Sequence, residues 1–118
     1  MATYSRVHLS GSTSGKPILV AAIATPGTAI HTAIAGATAF DEVYLWVANT
    51  HSAAVALTLE WGGVTDPDNH LVKTLSIPAN SGPIAIAVGQ VMNGGLLIKA
   101  FADSANKLTI TGYVNRIQ

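Results

Sequence analysis

The sequence predicts an all-β protein: a single antiparallel β-sandwich of about eight strands, jelly-roll or immunoglobulin-like in strand order. The first observation behind this is the stretch Asp41–Trp61, DEVYLWVANTHSAAVALTLEW. It alternates Val43, Leu45 and Val47 with Tyr44, Trp46 and Ala48, and resumes after Asn49–Ser52 as Val55, Leu57, Leu59 and Trp61. Period two is the signature of half-buried strands, and the stretch reads as two long strands folded back on each other. The second observation is that turn formers recur at about the 8–12-residue spacing of sandwiches and barrels. The third is the absence of helical heptads and of any solenoid repeat.

Taken in order, Tyr4–Leu9 alternates Tyr4, Arg6 and His8 against Ser5, Val7 and Leu9, an edge strand or N-terminal arm, and SGSTSG (Ser10–Gly15) is flexible in composition. Residues 1–16 are therefore expected to be an arm and linker, and residues 17–118 the sandwich domain. Pro17–Ile23 is an apolar run of strand length, turned by Thr25-Pro26-Gly27. Thr28–Ala35 places the β-branched Thr28, Ile30, Thr32 and Ile34 at every second position, which favours strand over helix despite its alanines. After the central pair come the polar loop Gly62–Asn69, a strand Leu71–Ile77, a connector Pro78–Pro83, and a strand Ile84–Val88. Asn93-Gly94-Gly95 is a tight turn before Leu96–Ala102, Asp103–Asn106 is another, and Lys107–Ile117 closes the chain. Gly112 within this last strand marks a bulge or a close backbone approach. Leu57 and Leu59 are expected in the core.

Of the 118 residues, 49% are hydrophobic and only 10% charged, against about 25% charged in ordinary soluble domains. Small polar residues or another protein must then cover much of the surface. Six basic and six acidic residues cancel, which removes the electrostatic case for nucleic acid or an anionic membrane as ligand and leaves close packing of copies unopposed by net charge. With no cysteine, disulfides, thiolate metal sites and cysteine nucleophiles are excluded. Pro17–Phe40 runs 24 residues without Asp, Glu, Lys or Arg. Pro26-Gly27, His31 and four threonines interrupt it, so neither a membrane span nor an export signal is expected.

Chemical motifs are weak. Gly11–Lys16, GSTSGK, has three residues between its glycines instead of four and Pro17 after the lysine, so it lacks the metal-binding hydroxyl of a phosphate loop. His8, His31, His51 and His70 share no short ligand spacing and are expected at the surface. Asp66-x-Asp68 lacks the glycine and glutamate of a calcium loop. Glu60 is expected on the outward face of its strand, paired with Lys73 or Lys99. With no second carboxylate placed for glycosidase chemistry and no G-x-S-x-G elbow, an enzyme is not expected, and neither is a cofactor or metal.

From Asp41 onward, the order DEVYLWVANT, VALTLEWG, IPANSGP, NGGLLIKAFA and NKLTITGYV resembles the small β-sandwich proteins of tailed-bacteriophage virions. The resemblance implies a capsid decoration (cement) protein, made in the host cytoplasm and carried on the head surface of the virion. Its implied partners are the major capsid protein and further copies of itself, as a homotrimer where three capsid subunits meet. A neck, tail or fibre-associated role is the alternative within that family; the chain lacks the repeated stalk of a fibre. The candidate interface comprises Tyr4, Arg6, Val7 and Leu9, as an arm ordered on docking, and the aromatic residues Tyr44, Trp46 and Trp61. From another class, a carbohydrate-binding module would use Tyr44, Trp46 and Trp61 as a sugar-stacking platform. One face of the Tyr44–Trp46 strand must fill the core, and at least one tryptophan is expected there.

Overall fold

The computed structural model describes residues 3–118; residues 1 and 2 of the expected arm lie outside that range. The elements are β1 (Tyr4–His8), β2 (Ile18–Leu19), β3 (Thr28–Thr32), β4 (Phe40–Asn49), β5 (Val55–Trp61), β6 (His70–Ile77), β7 (Ser81–Met92), β8 (Leu97–Ala102) and β9 (Leu108–Ile117). These nine strands hold more than half of the described residues, with no helix among them. They form two antiparallel sheets packed as a sandwich. Sheet A runs β1-β9-β4-β7, with the short β2 beside β1 on the same edge of β9, and sheet B runs β3-β8-β5-β6.

The pairing resolves the strand order as a jelly roll. β1 and β2 pair with β9, β3 with β8, β4 with β7 and β5 with β6, so the first half of the chain lies antiparallel to the second half in reverse order. This long ribbon is folded into two layers, joined by the β4–β9 ladder in one and the β5–β8 ladder in the other. The expected hairpin over Asp41–Trp61 is thereby corrected: β4 and β5 sit in different sheets and face each other across the core. Asn49 builds the arch between them, its amide donating to the Ala53 and Ile77 carbonyls while its oxygen accepts the His51 N–H. Alternation fixes which side chains share a face, and it does so identically for a hairpin and for strands on opposite sides of a sandwich. Leu97–Ala102 and Leu108–Ile117, consecutive in the chain, likewise lie in different sheets.

Other boundaries shift as well. Only Ile18–Leu19 of the Pro17–Ile23 run pairs as strand, and β7 begins at Ser81, inside the expected Pro78–Pro83 connector. The SGSTSG segment is tethered: Gly11 N–H donates to Ile30 O and Ser12 Oγ to Lys16 O. β1 pairs with β9 over five residues, Val7 packs on the core and Leu9 is only 1% exposed, so of the two readings of Tyr4–Leu9 the structure shows the edge strand and not a separate arm. β9 is interior to sheet A, flanked by β1 and β2 on one side and β4 on the other.

The core is aliphatic. Val43, Leu45 and Val47 of β4 and Ile110 and Val114 of β9 meet Leu57 and Leu59 of β5 and Ile98 and Ala100 of β8, all fully buried. The uncharged N-terminal run contributes Ile18, Val20, Ile30 and Ala33. Gly112 is a close approach without a bulge, since the β4–β9 register runs unbroken and a Cβ there would collide with the Tyr44 carbonyl. Leu57→Ala should lower stability by about 2–5 kcal/mol. Chemical denaturation would read this, and a loss below about 0.5 kcal/mol, the size of an ordinary surface substitution, would place Leu57 outside the core.

Candidate functional site

The outward-facing residues of β4 and β9 stand opposite each other in register, Tyr44 against Tyr113 and Trp46 against Thr111. On the far side of β4, Val88 flanks Tyr44 and Ala85 flanks Trp46. The Tyr44 and Tyr113 rings stack with centroids 5.1 Å apart and planes 21° apart, Trp46 lies 6.1 Å from Tyr113, and the Arg6 guanidinium sits 4.6 Å from the Tyr113 ring centre. Aromatic pairs of this kind add about 0.5–1.5 kcal/mol beyond area burial, and an exposed cation–π contact about 0.5–1 kcal/mol. Around this half-buried ladder lie Tyr4 (71% exposed), Val88 (67%) and Val91 (55%). Arg6 and Glu42, both in register with Asn115, are the charged side chains of this face among the described residues. The outer face of sheet A is thus a nearly uncharged apolar platform, bordered at one end by a cleft of about 300 Å³ between Phe40, Val91, Met92 and Asn93.

Of the sequence-predicted interface residues, the structure brings Tyr4, Arg6, Tyr44 and Trp46 onto this one face. Val7 points inward with Val114, its partner in the ladder, and Leu9 is in the core, so neither belongs to the surface. Trp61 is on sheet B, in register with Ile98, and packs against the core from its rim. Both side chains of the Tyr44–Trp46 face therefore point away from the interior, and Trp61 is the tryptophan that meets the core. Tyr113, Val88 and Val91 were not anticipated; the alternation of Tyr113 with Val114 turns it outward, but its position beside Tyr44 depends on the pairing of β4 with β9. The two tyrosine rings turn their faces to each other, whereas a sugar-stacking platform needs faces open to solvent.

A second polar constellation lies inside the sandwich. His31 is buried, contrary to the surface position expected of it. Its Nδ1 accepts the Ser10 N–H (3.0 Å), which leaves Nε2 as the protonated nitrogen donating to Asp41 Oδ2 (2.8 Å). Asp41 also accepts from the Ile34 N–H and, through both oxygens, from Arg116 at 2.8 and 3.0 Å. Burial alone would push the Asp41 carboxyl up, but the Arg116 and His31 hydrogen bonds, the guanidinium charge and the Ile34 N–H together hold it below the ordinary carboxylate value. Asp41 has the inward parity of Val43, Leu45 and Val47, a signal present in the sequence. Ser10 Oγ accepts the Thr32 N–H and makes no bond to the imidazole, so the group lacks a nucleophile–base contact.

Glu60 is corrected too. It is fully buried, accepting from Thr25 Oγ1 (2.5 Å) and the Gly27 N–H (2.7 Å) of the loop before β3, not from a lysine. Lys73 instead holds both oxygens of Asp66 at 2.8 and 2.7 Å, which lowers that carboxyl, and His70 Nδ1 lies 3.4 Å from Asp66. Among the described residues no group of three or more His, Asp or Glu side chains could hold a metal ion, and no helix is long and apolar enough to cross a membrane.

Comparison with known proteins finds no matching family model, no matching curated protein and no matching solved structure.

The Asp41 geometry predicts an acid-sensitive contribution to stability. A carboxyl whose folded pKa is depressed stabilises the fold fully above its unfolded value, and that stability is lost as the pH falls through the folded pKa. Unfolding free energy measured from pH 6 downward should therefore decline below about pH 4, the ordinary carboxylate range. Asp41→Asn should be less stable at neutral pH and show a flatter decline; an unchanged acid slope would remove Asp41 from this role.

Proposed function

We propose that this chain is a non-enzymatic structural protein of a tailed-phage virion, of the capsid decoration (cement) type, which docks on the major capsid protein through the outer face of sheet A. The observation that supports this reading is that face itself: Tyr4, Tyr44, Trp46, Val88, Val91 and Tyr113 present apolar surface on a rigid sheet, with Arg6 and Glu42 as its charges. The resemblance of the strands from Asp41 onward to small virion proteins supplies the role. Binding a repeated lattice needs shape and many weak contacts rather than a strong field. Rings already locked against one another lose little rotamer freedom on docking. Low net charge lets neighbouring copies approach closely.

Self-association belongs to the same proposal, and the trimer rests on the resemblance to cement proteins at positions where three capsid subunits meet. A subunit contact that is stable in solution should bury at least about 1,000 Å². Light scattering at micromolar concentration is expected to give the mass of three chains; a strict monomer would remove the solution trimer. Docking is tested with capsids assembled from the major capsid protein of the same genome. Val88→Asp and Val91→Asp, both exposed and outside the core, should leave the thermal transition in place and weaken capsid binding by about tenfold or more. Undiminished binding would sink the assignment of this face, and no binding by the unaltered protein would sink the decoration role.

A further inference from the structure

Away from the aromatic face, the loop after β5 and the turn between β7 and β8 enclose a cleft of about 170 Å³, lined by Gly62, Gly63, Val64, Leu96, Leu97 and Lys99 among others. Its size is close to that of an engineered cavity of about 150 Å³ that accommodates benzene, so it suits a ligand of a few heavy atoms. Three features give it chemistry. Lys99 stands directly opposite Glu60 in the β5–β8 ladder, yet the two form no ion pair, because both Glu60 oxygens are turned to Thr25 and Gly27. No acidic side chain lies within salt-bridge distance of Lys99 among the described residues. The cleft thus has an ammonium without a counter-ion on its wall.

The second feature is backbone. Gly62 has φ of +80° and Gly63 does not share the positive sign. Successive residues of opposite hand are the backbone pattern from which anion-binding concavities are built. The Gly62 N–H is used by the Leu97 carbonyl, whereas those of Gly63 and Val64 donate to no group among the described residues. Gly62 adopts a φ that side chains disfavour, and a Cβ on Gly63 would come within 2.5 Å of Asn69 Oδ1, so the Asn69 side chain would have to move to admit one. The third feature is apolar, since Val64, Leu96 and Leu97 supply the remaining wall and all three are exposed to solvent.

We propose that this cleft is a binding site for a small carboxylate bearing a short branched apolar arm. The carboxylate is held by the Lys99 ammonium and the Gly63 and Val64 N–H groups, and the arm lies against Val64, Leu96 and Leu97. That chemistry is shared by a free branched short-chain acid and by the C-terminal leucine or valine of a polypeptide. A single ammonium at an open cleft is screened by salt and solvent, so affinity is modest, with Kd on the order of 1 mM.

The test is an amide NMR titration of the intact protein with three probes: isovalerate, its neutral isostere isovaleramide, and N-acetyl-leucine. Isovalerate is expected to shift the Gly62, Gly63, Val64 and Lys99 amides to saturation, with isovaleramide about tenfold weaker or worse. N-acetyl-leucine binding more tightly than isovalerate identifies the C-terminal residue as the better source; the reverse order identifies the free acid. Lys99→Gln should abolish saturation while Lys99→Arg retains it, and the unperturbed remainder of each spectrum reports that the variant is folded. Equal binding of acid and amide, saturable shifts only elsewhere, or no shift up to about 50 mM, far above the expected Kd, would overturn the proposal.

Discussion

The carboxylate of Asp41 is the joint on which the two layers depend. It stands at the start of β4 in sheet A, takes a hydrogen bond from His31 of β3 in sheet B, and is clasped by Arg116 near the end of β9. Through the other imidazole nitrogen the tie reaches Ser10, where the chain leaves β1. A buried charge is costly unless every lone pair is met, and here backbone, imidazole and guanidinium meet them together. An aliphatic core can slide, because one buried methyl group is much like another. The fork of Arg116 fixes Asp41 within sheet A, and the His31 ring, bonded at both nitrogens, fixes the registration of sheet B over it.

The second constraint is that the longest strand edge is kept from pairing without the help of charge. β7 is a twelve-residue edge strand containing no Asp, Glu, Lys or Arg. In place of lysines it has Pro83, which has no N–H to offer, a Val88 N–H already taken by Gln90 Oε1 at 2.6 Å, and three register shifts against β4 that bend it. The flat part of the molecule, the face of Tyr44, Trp46 and Tyr113, is therefore better suited to contact than its edge. A surface poor in charge is consistent with a protein whose neighbours are other proteins at close range.

Much of this was legible in the chain. Alternation gave the strands; it put Leu57 and Leu59 in the interior, and it grouped Val43, Leu45 and Val47 on one face and Tyr44 and Trp46 on the other without saying which of the two faces is the core. Parity also placed Asp41 with the inward set, although a carboxylate there reads as a surface residue until a partner is known. What alternation could not show is which strand lies beside which. β4 and β5 have the same pattern whether they are joined as a hairpin or separated by the core, and the arch built by the Asn49 side chain is made of contacts to Ala53 and Ile77 that local sequence does not announce. The aromatic ladder suffered the same limit, since Tyr113 meets Tyr44 only because a strand near the end of the chain pairs with one near its middle. Glu60 and His31 were misplaced because loops distant in sequence, at Thr25–Gly27 and Ser10, cover them.

The ribbon topology also governs when the protein can come into being. Each strand of the first half waits for a partner from the second half, and one of the two interior strands of sheet A is the last one made. A nascent chain emerging from the ribosome holds β1 and β2 without a partner, and one side of β4 unpaired, until β9 arrives, so no N-terminal portion can complete sheet A. Acquisition of the native state is then a single late event that demands long loop closures, slow by the standards of local folds and exposed to aggregation in the interval. A nonsense mutation anywhere before β9 removes the whole sandwich rather than trimming it.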